Sequence, residues 1–292
     1  MPSEQETLKE HYARYREILA NMTLMSDAFM RNVFIMRECA EYVLRIILKR
    51  NDFQIIDTIV QKDLKNLHGR SIVIDFIARC DNGALMGIEV QQDNEGASPE
   101  RARYTSGMMD VTILDPGKDF SNLPESYTIF ITRNDALKKG LPIYHIERVI
   151  KETGDEFGDR AHIIYVNASI QDDTELGRLM HDFHCKKADE MYSKELADRV
   201  RMLKETPKGV DDMCRELEQL YLDGKNEGIK KGMEQGIEKG IEKGIEKGTI
   251  MTTLSNIKNL VETLGLTTEA AMAALKVPEK ERLTYTNLLS SQ

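Results

Sequence analysis

Apolar residues return at helical spacing from Asp27 to Leu48, at Phe29, Val33, Phe34, Met36, Val43, Leu44, Ile47 and Leu48, and Ser26 or Asp27 can cap the start. The pattern predicts one long core helix, preceded over 1–22 by a polar helical arm. Three short runs follow, FQIIDTIVQ (53–61), RSIVIDFIAR (70–79) and ALMGIEVQ (84–91). They are β-branched and bounded by turn residues, which predicts three successive strands. Asp81, Asn82 and Gly83 form the tight turn between the last two. Ser98 and Pro99 open the next helix, a capping hydroxyl followed by a proline whose missing N–H costs nothing at the first position. That helix ends near Asp115-Pro116-Gly117. YTIFIT (127–132) and HIIYVN (162–167) read as two more buried strands, with a polar loop and a short helix near 142–152 between them. From Asp172 onward the periodicity is helical throughout. The expected fold is α/β, a mixed central sheet flanked by helices and followed by an all-helical C-terminal extension.

One stretch departs from all of this. Between Gly224 and Gly248 glycine stands at every fourth position, seven times over, and Ile229, Met233, Ile237, Ile241 and Ile245 each follow one. Its six lysines and five glutamates nearly cancel, so it is neither a basic arm nor an acidic tail. Glycine costs a helix about 1 kcal/mol relative to alanine at each position. Alone, such a helix would fray; self-association or packing on a neighbour would stabilise it, and a flexible linker is the other reading. The organisation that results is a helical arm (1–22), an α/β core (23–170), a helical extension packing on it (171–223), the glycine repeat (224–248) and a small helical segment (249–292).

Composition narrows the function classes. The 292 residues are 41% hydrophobic and 30% charged, the balance of a soluble globular chain. No run approaches the roughly eighteen apolar residues of a membrane span, and MPSEQETLKEHYARYR lacks the apolar centre of a signal peptide, so a cytoplasmic location and no membrane partner are expected. Cys39, Cys80, Cys185 and Cys214 are scattered singly and read as reduced thiols. His181, His184 and Cys185 in HDFHC have zinc-like spacing, but no second pair completes four ligands, so they read as ordinary helix and loop residues. The net charge of −9 opposes nucleic acid, and any DNA role must rest on a local basic patch.

The candidate chemistry lies in the hairpin. A turn centred on Asn82 sets Asp75 opposite Glu89, and strand parity puts Gln91 on their face. Met86, Ile88 and Val90 share the other face with Ile72, Ile74 and Phe76. Two carboxylates in strands of buried type are explained either by a hydrogen-bond cluster or by a hard divalent cation that relieves their repulsion. On the helix after the third strand stand Arg101, Arg103 and Tyr104; an arginine there could reach a phosphate, and ordinary exposed helix residues are the other reading. Asp27, Phe34, Glu41 and Leu48 recur at intervals of seven, which makes Glu41 a candidate extra carboxylate; pairing with Arg45 at i+4 is its bland alternative.

The order of a core helix, a hairpin bearing D-x13-E-x-Q, a helix with arginine and tyrosine near its start, and a further strand resembles the PD-(D/E)XK nuclease superfamily. The segments SDAFMRNVF, DLKNLHGRSIVIDFIARCDNGALMGIEVQ, SPERARYTSGMMD, GLPIYHIERVI, HIIYVN and LADRVRMLKE are similar to the PD-(D/E)XK nuclease family transposases of bacteria, relatives of the recombination-promoting nucleases. The resemblance runs from about Leu24 to Gly248. It implies a restriction-endonuclease-like core in which Asp75, Glu89 and the main-chain carbonyl of Val90 hold Mg²⁺ or Mn²⁺, and a DNA phosphodiester is hydrolysed. Gln91 stands where the superfamily motif has lysine; an amide can orient water or bond a phosphate oxygen but carries no charge. The expected function is a metal-dependent DNA endonuclease of the transposase or recombination-promoting type, assembled as a homo-oligomer through its helical tail. The alternative is a nuclease fold with reduced catalysis that acts as an interaction scaffold through that tail.

Overall fold

The computed structural model describes residues 4–64 and 71–290; residues 1–3, 65–70 and 291–292, with Arg70 of the expected second strand, lie outside the described residues. The chain divides into two compact units, Met1–Leu217 and Glu218–Gln292.

The first unit opens with α1 (Glu4–Asn21), α2 (Asp27–Phe34) and α3 (Arg37–Leu48). The single long helix expected over Asp27 to Leu48 is therefore two. The break falls at Ile35 and Met36, where Met36 is extended (φ −78°, ψ 107°) and both side chains are exposed. Tertiary packing overrides the periodicity here. α2 lies on the sheet, with Phe34 edge-on to Phe76 at 5.3 Å, while α3 turns to meet the later helices.

The strands are β1 (Ile55–Leu64), β2 (Ile72–Cys80), β3 (Leu85–Gln91), β4 (Ser126–Thr132), β5 (Ile143–Ile146) and β6 (Ala161–Asn167). They form one mixed sheet in the order β1-β2-β3-β4-β6-β5. β1, β2 and β3 are antiparallel neighbours, β3, β4 and β6 run parallel, and β5 returns antiparallel on β6. β5 replaces the short helix expected near 142–152: four residues that read as a helical turn pair along a free sheet edge, with Tyr144 opposite Tyr165. The crossover from β3 to β4 carries α4 (Pro99–Ile113), as a parallel pair requires. α5 (Glu175–His184) and α6 (Lys194–Glu205) complete the helices of the unit apart from the start of α7 (Pro207–Leu264).

Helices cover both faces, which explains why β3 and β4 are buried almost throughout. On one face Phe76, Ala78, Met86, Ile88 and Val90 pack with α2, α3, α5 and α6. On the other, α4 lies so close to β3 that a Cβ at Gly87 would sit 2.9 Å from Met109 Sδ. Ile74 belongs to this second face, clustered with Ile77, Leu85 and Met109, and Ile72 packs there too. The placement of Ile72 and Ile74 beside Phe76 by strict alternation is thus corrected. Among the described pairings, Asp75 is absent from the register on either side of β2, and the face changes across it.

In the second unit the rest of α7 contains the whole glycine repeat as helix, with an i, i+4 ion pair of 2.6 Å between Glu227 and Lys231. α8 (Thr268–Ala274) and α9 (Glu279–Ser290) enclose a small core of Leu254, Ile257, Ala271, Met272, Val277 and Tyr285.

Candidate active site

β2 and β3 are zipped from the Asn82 turn outward, with Ala78 opposite Met86 and Phe76 opposite Ile88. Beyond that pair a side chain takes over from the ladder: Asp75 Oδ2 accepts the Val90 N–H at 3.1 Å. A buried strand amide is thereby satisfied, and the carboxylate is held beside the end of β3. Glu89 is 1% exposed. Its Oε2 accepts from Arg101 Nη2 at 2.9 Å and from Gln91 Nε2 at 3.0 Å, while its Oε1 is buried without a hydrogen-bond partner.

Electrostatics follow from this crowding. Burial, then the charge of Glu89, push Asp75 up to about 7, against the Val90 N–H; Asp27 adds to the rise and Arg31 subtracts. Burial also raises Glu89, opposed first by the Arg101 guanidinium. An orphaned carboxylate oxygen in a pair that resists ionisation fits a hard, oxygen-seeking divalent cation.

Asp75, Val90 and Gln91 line a cleft of about 440 Å³ together with Met25, Asp27, Gln92, Asp93 and Gly96. Gly96 leaves room for the Gln91 amide, since a Cβ there would fall 1.9 Å from Gln91 Oε1. Asp27 is the carboxylate that sequence reasoning passed over. It stands in the first turn of α2, 3.8 Å from Arg31, a residue only 4% exposed. Glu41, the candidate extra carboxylate, is elsewhere: it accepts the Ile55 N–H at 2.7 Å and pairs with Arg45 at 2.9 Å. The heptad stripe is cut by the break between α2 and α3, so the acidic residue that reaches the cleft is at its beginning. An acidic residue in a capping turn was the available signal.

The three candidates on α4 have separate surroundings. Ser98 caps α4 by accepting the Arg101 N–H, and the Arg101 side chain turns to Glu89. Arg103 and Tyr104 line a second cleft of about 600 Å³ with Ser71, Val73 and Ser98, and Arg101 borders it. His181, Asp182 and Cys185 lie with donor atoms within 4.8 Å of one another. Asp182, however, uses both oxygens to accept the Tyr192 and Ser193 N–H groups, which ties the last turns of α5 to the start of α6.

Residues 43–178 match the family model described as PD-(D/E)XK nuclease family transposase. Comparison with curated proteins and with solved structures gives no match. The matched span contains Asp75, Glu89, Gln91, Arg101, Arg103 and Tyr104, and begins after α2.

Proposed function

Residues 43–178 belong to the PD-(D/E)XK nuclease family transposases, the family of the recombination-promoting nucleases, and from that premise we propose that the protein is a divalent-metal-dependent DNA endonuclease. The observation that carries this reading is the half-buried Asp75 together with the buried Glu89, whose Oε1 has no partner, at the end of β3. Asp75, Glu89 and the Val90 carbonyl would hold Mg²⁺ or Mn²⁺. A bound cation supplies charge that polarises a phosphoryl oxygen and acidifies water.

The chain's own groups do the rest. The Gln91 amide, fixed by its bond to Glu89 and by the space at Gly96, offers its oxygen to orient water in the cleft. Arg103 and Tyr104 present a cation and a phenol to phosphate on the neighbouring cleft. With a net charge of −9, DNA must be drawn by such local groups. Among the described residues no helix is long and apolar enough to cross a membrane, and a cytoplasmic setting accords with a DNA substrate.

A plasmid-nicking assay tests the reading. Nicking should require Mg²⁺ or Mn²⁺ and vanish in Asp75→Ala and Glu89→Ala with the fold retained, because removing one of two repelling carboxylates relieves strain in the metal-free chain. Nicking that persists in both variants would overturn it. A second reading, an interaction scaffold with a homo-oligomer formed through the tail, is favoured by one observation: Ile229, Met233, Ile237, Ile241 and Ile245 are 53% to 66% exposed along the repeat.

A further inference from the structure

The strand position two residues after Glu89 holds an amide, so a positive charge at this site has to come from another element. Arg101 is that element's contribution. It stands in the first turn of α4, three residues after the Ser98 cap, where a cation opposes the helix dipole and gains nothing from the helix itself. Its Nη2 reaches Glu89 Oε2 at 2.9 Å, against a carboxylate that is 1% exposed. The contact is through one nitrogen: Arg101 Nε is buried without a partner, and the second carboxylate oxygen, Oε1, is likewise unpaired. A two-pronged arginine pair would have used both oxygens. Here Arg101 and the Gln91 amide converge on the same oxygen and leave the other.

We propose that Arg101 is a positioning residue that delivers from α4 the charge Gln91 lacks, fastening Glu89 by Oε2 so that Oε1 stays open to the divalent cation. The proposal rests on the nuclease reading above. It reassigns Arg101 from phosphate contact to the acidic pair, and leaves Arg103 and Tyr104 to the substrate. Its signature is an opposition between two measurements. A guanidinium beside Glu89 repels an incoming cation, so at a pH alkaline enough to keep Glu89 ionised in its absence, where both measurements are made, its removal strengthens metal binding while catalysis loses a fixed charge.

The experiment measures Mn²⁺ binding by electron paramagnetic resonance and plasmid nicking on the full chain, in wild type, Arg101→Gln, Arg101→Lys and Arg101→Gln/Gln91→Lys, with thermal melting as the check on folding. Arg101→Gln should bind Mn²⁺ about tenfold more tightly and nick about a hundredfold more slowly. Arg101→Lys should stay close to wild type in both, and the double variant should recover nicking, with the charge returned from the strand. A merely structural arginine would give weaker binding and slower nicking together, and that result overturns the proposal. So does an Arg101→Gln variant unchanged in both, or an Arg101→Lys variant that behaves like Arg101→Gln. Wild type that binds Mn²⁺ and nicks DNA while Arg101 proves indifferent leaves the nuclease reading standing and removes only this one; wild type that does neither removes both.

Discussion

Two sets of glycines, one in each unit, are used in opposite ways. In the first unit, beside turn glycines such as Gly83 and Gly140 that stand open at positive φ, three mark places where atoms nearly touch: a Cβ would lie 2.9 Å from Met109 Sδ at Gly87, 1.9 Å from Gln91 Oε1 at Gly96 and 2.0 Å from the Met202 carbonyl at Gly209. In the second, a Cβ at any of the seven repeat glycines from Gly224 to Gly248 would meet nothing within 4 Å. The first set is filled space, so each glycine is explained by its neighbour. The second is open, so these glycines weaken the helix, and among the described residues nothing packs close enough for a Cβ there to meet it. A core spends its small residues on close approach, and a surface that presents them at a fixed period offers close approach to something else.

The largest effect should come from filling a crowded position. Gly209→Ala drives a methyl from the start of α7 into the α6 backbone at Met202 and Leu203 and should cost about 1–3 kcal/mol in chemical denaturation of the first unit. A neutral result would mean that the α6 to α7 junction yields easily, and the contrast between the units would weaken.

The site itself should respond to pH. Asp75 is raised to about 7 and Glu89 is also raised, so the stability they contribute in the metal-free protein is fully present below the unfolded carboxylate range and is lost as pH rises through about 7. Asp75→Asn cannot ionise. Its melting temperature should exceed that of wild type at pH 8, and the gain should disappear near pH 4. A gain that is constant across pH would remove burial of charge as its cause.

The smallest effects are in the repeat, and they discriminate best. Alanine at Gly232, Gly236 and Gly240 should raise helicity by about 1 kcal/mol per site if the face is solvated, since the methyls have room. If copies of the chain meet along the glycines, the same three changes should instead dissociate an oligomer in sedimentation, as should deletion of 224–248. A full-length chain that sediments as a monomer would end the self-association proposal.

Much of this architecture is local and was legible. A two-residue period and a turn at Asn82 suffice to set Phe76 opposite Ile88 and Ala78 opposite Met86, because strand register depends only on counting from the turn; Asp75 lies just past the end of that ladder. The Ser98 and Pro99 start of α4 is likewise a matter of adjacent residues. Counting fails wherever the chain leaves regular geometry. The face change across Asp75 carries Ile72 and Ile74 to the α4 side, and the break at Ile35 and Met36 leaves Asp27 in the cleft and takes Glu41 away to Ile55. Neither irregularity has a signature in the period.

By itself, then, the order of residues determined most of the elements, the hairpin register, the family resemblance and the glycine repeat, all of which are set by spacing along the chain, but not the α2–α3 break or β5. The tertiary structure alone decided which oxygen of Glu89 is taken and which is free, that Arg101 rather than a strand residue brings the charge, and which acidic side chain joins Asp75. These are distances between groups on separate elements, and they exist only once α2 and α4 have been pressed onto opposite faces of the sheet by burial of their apolar sides.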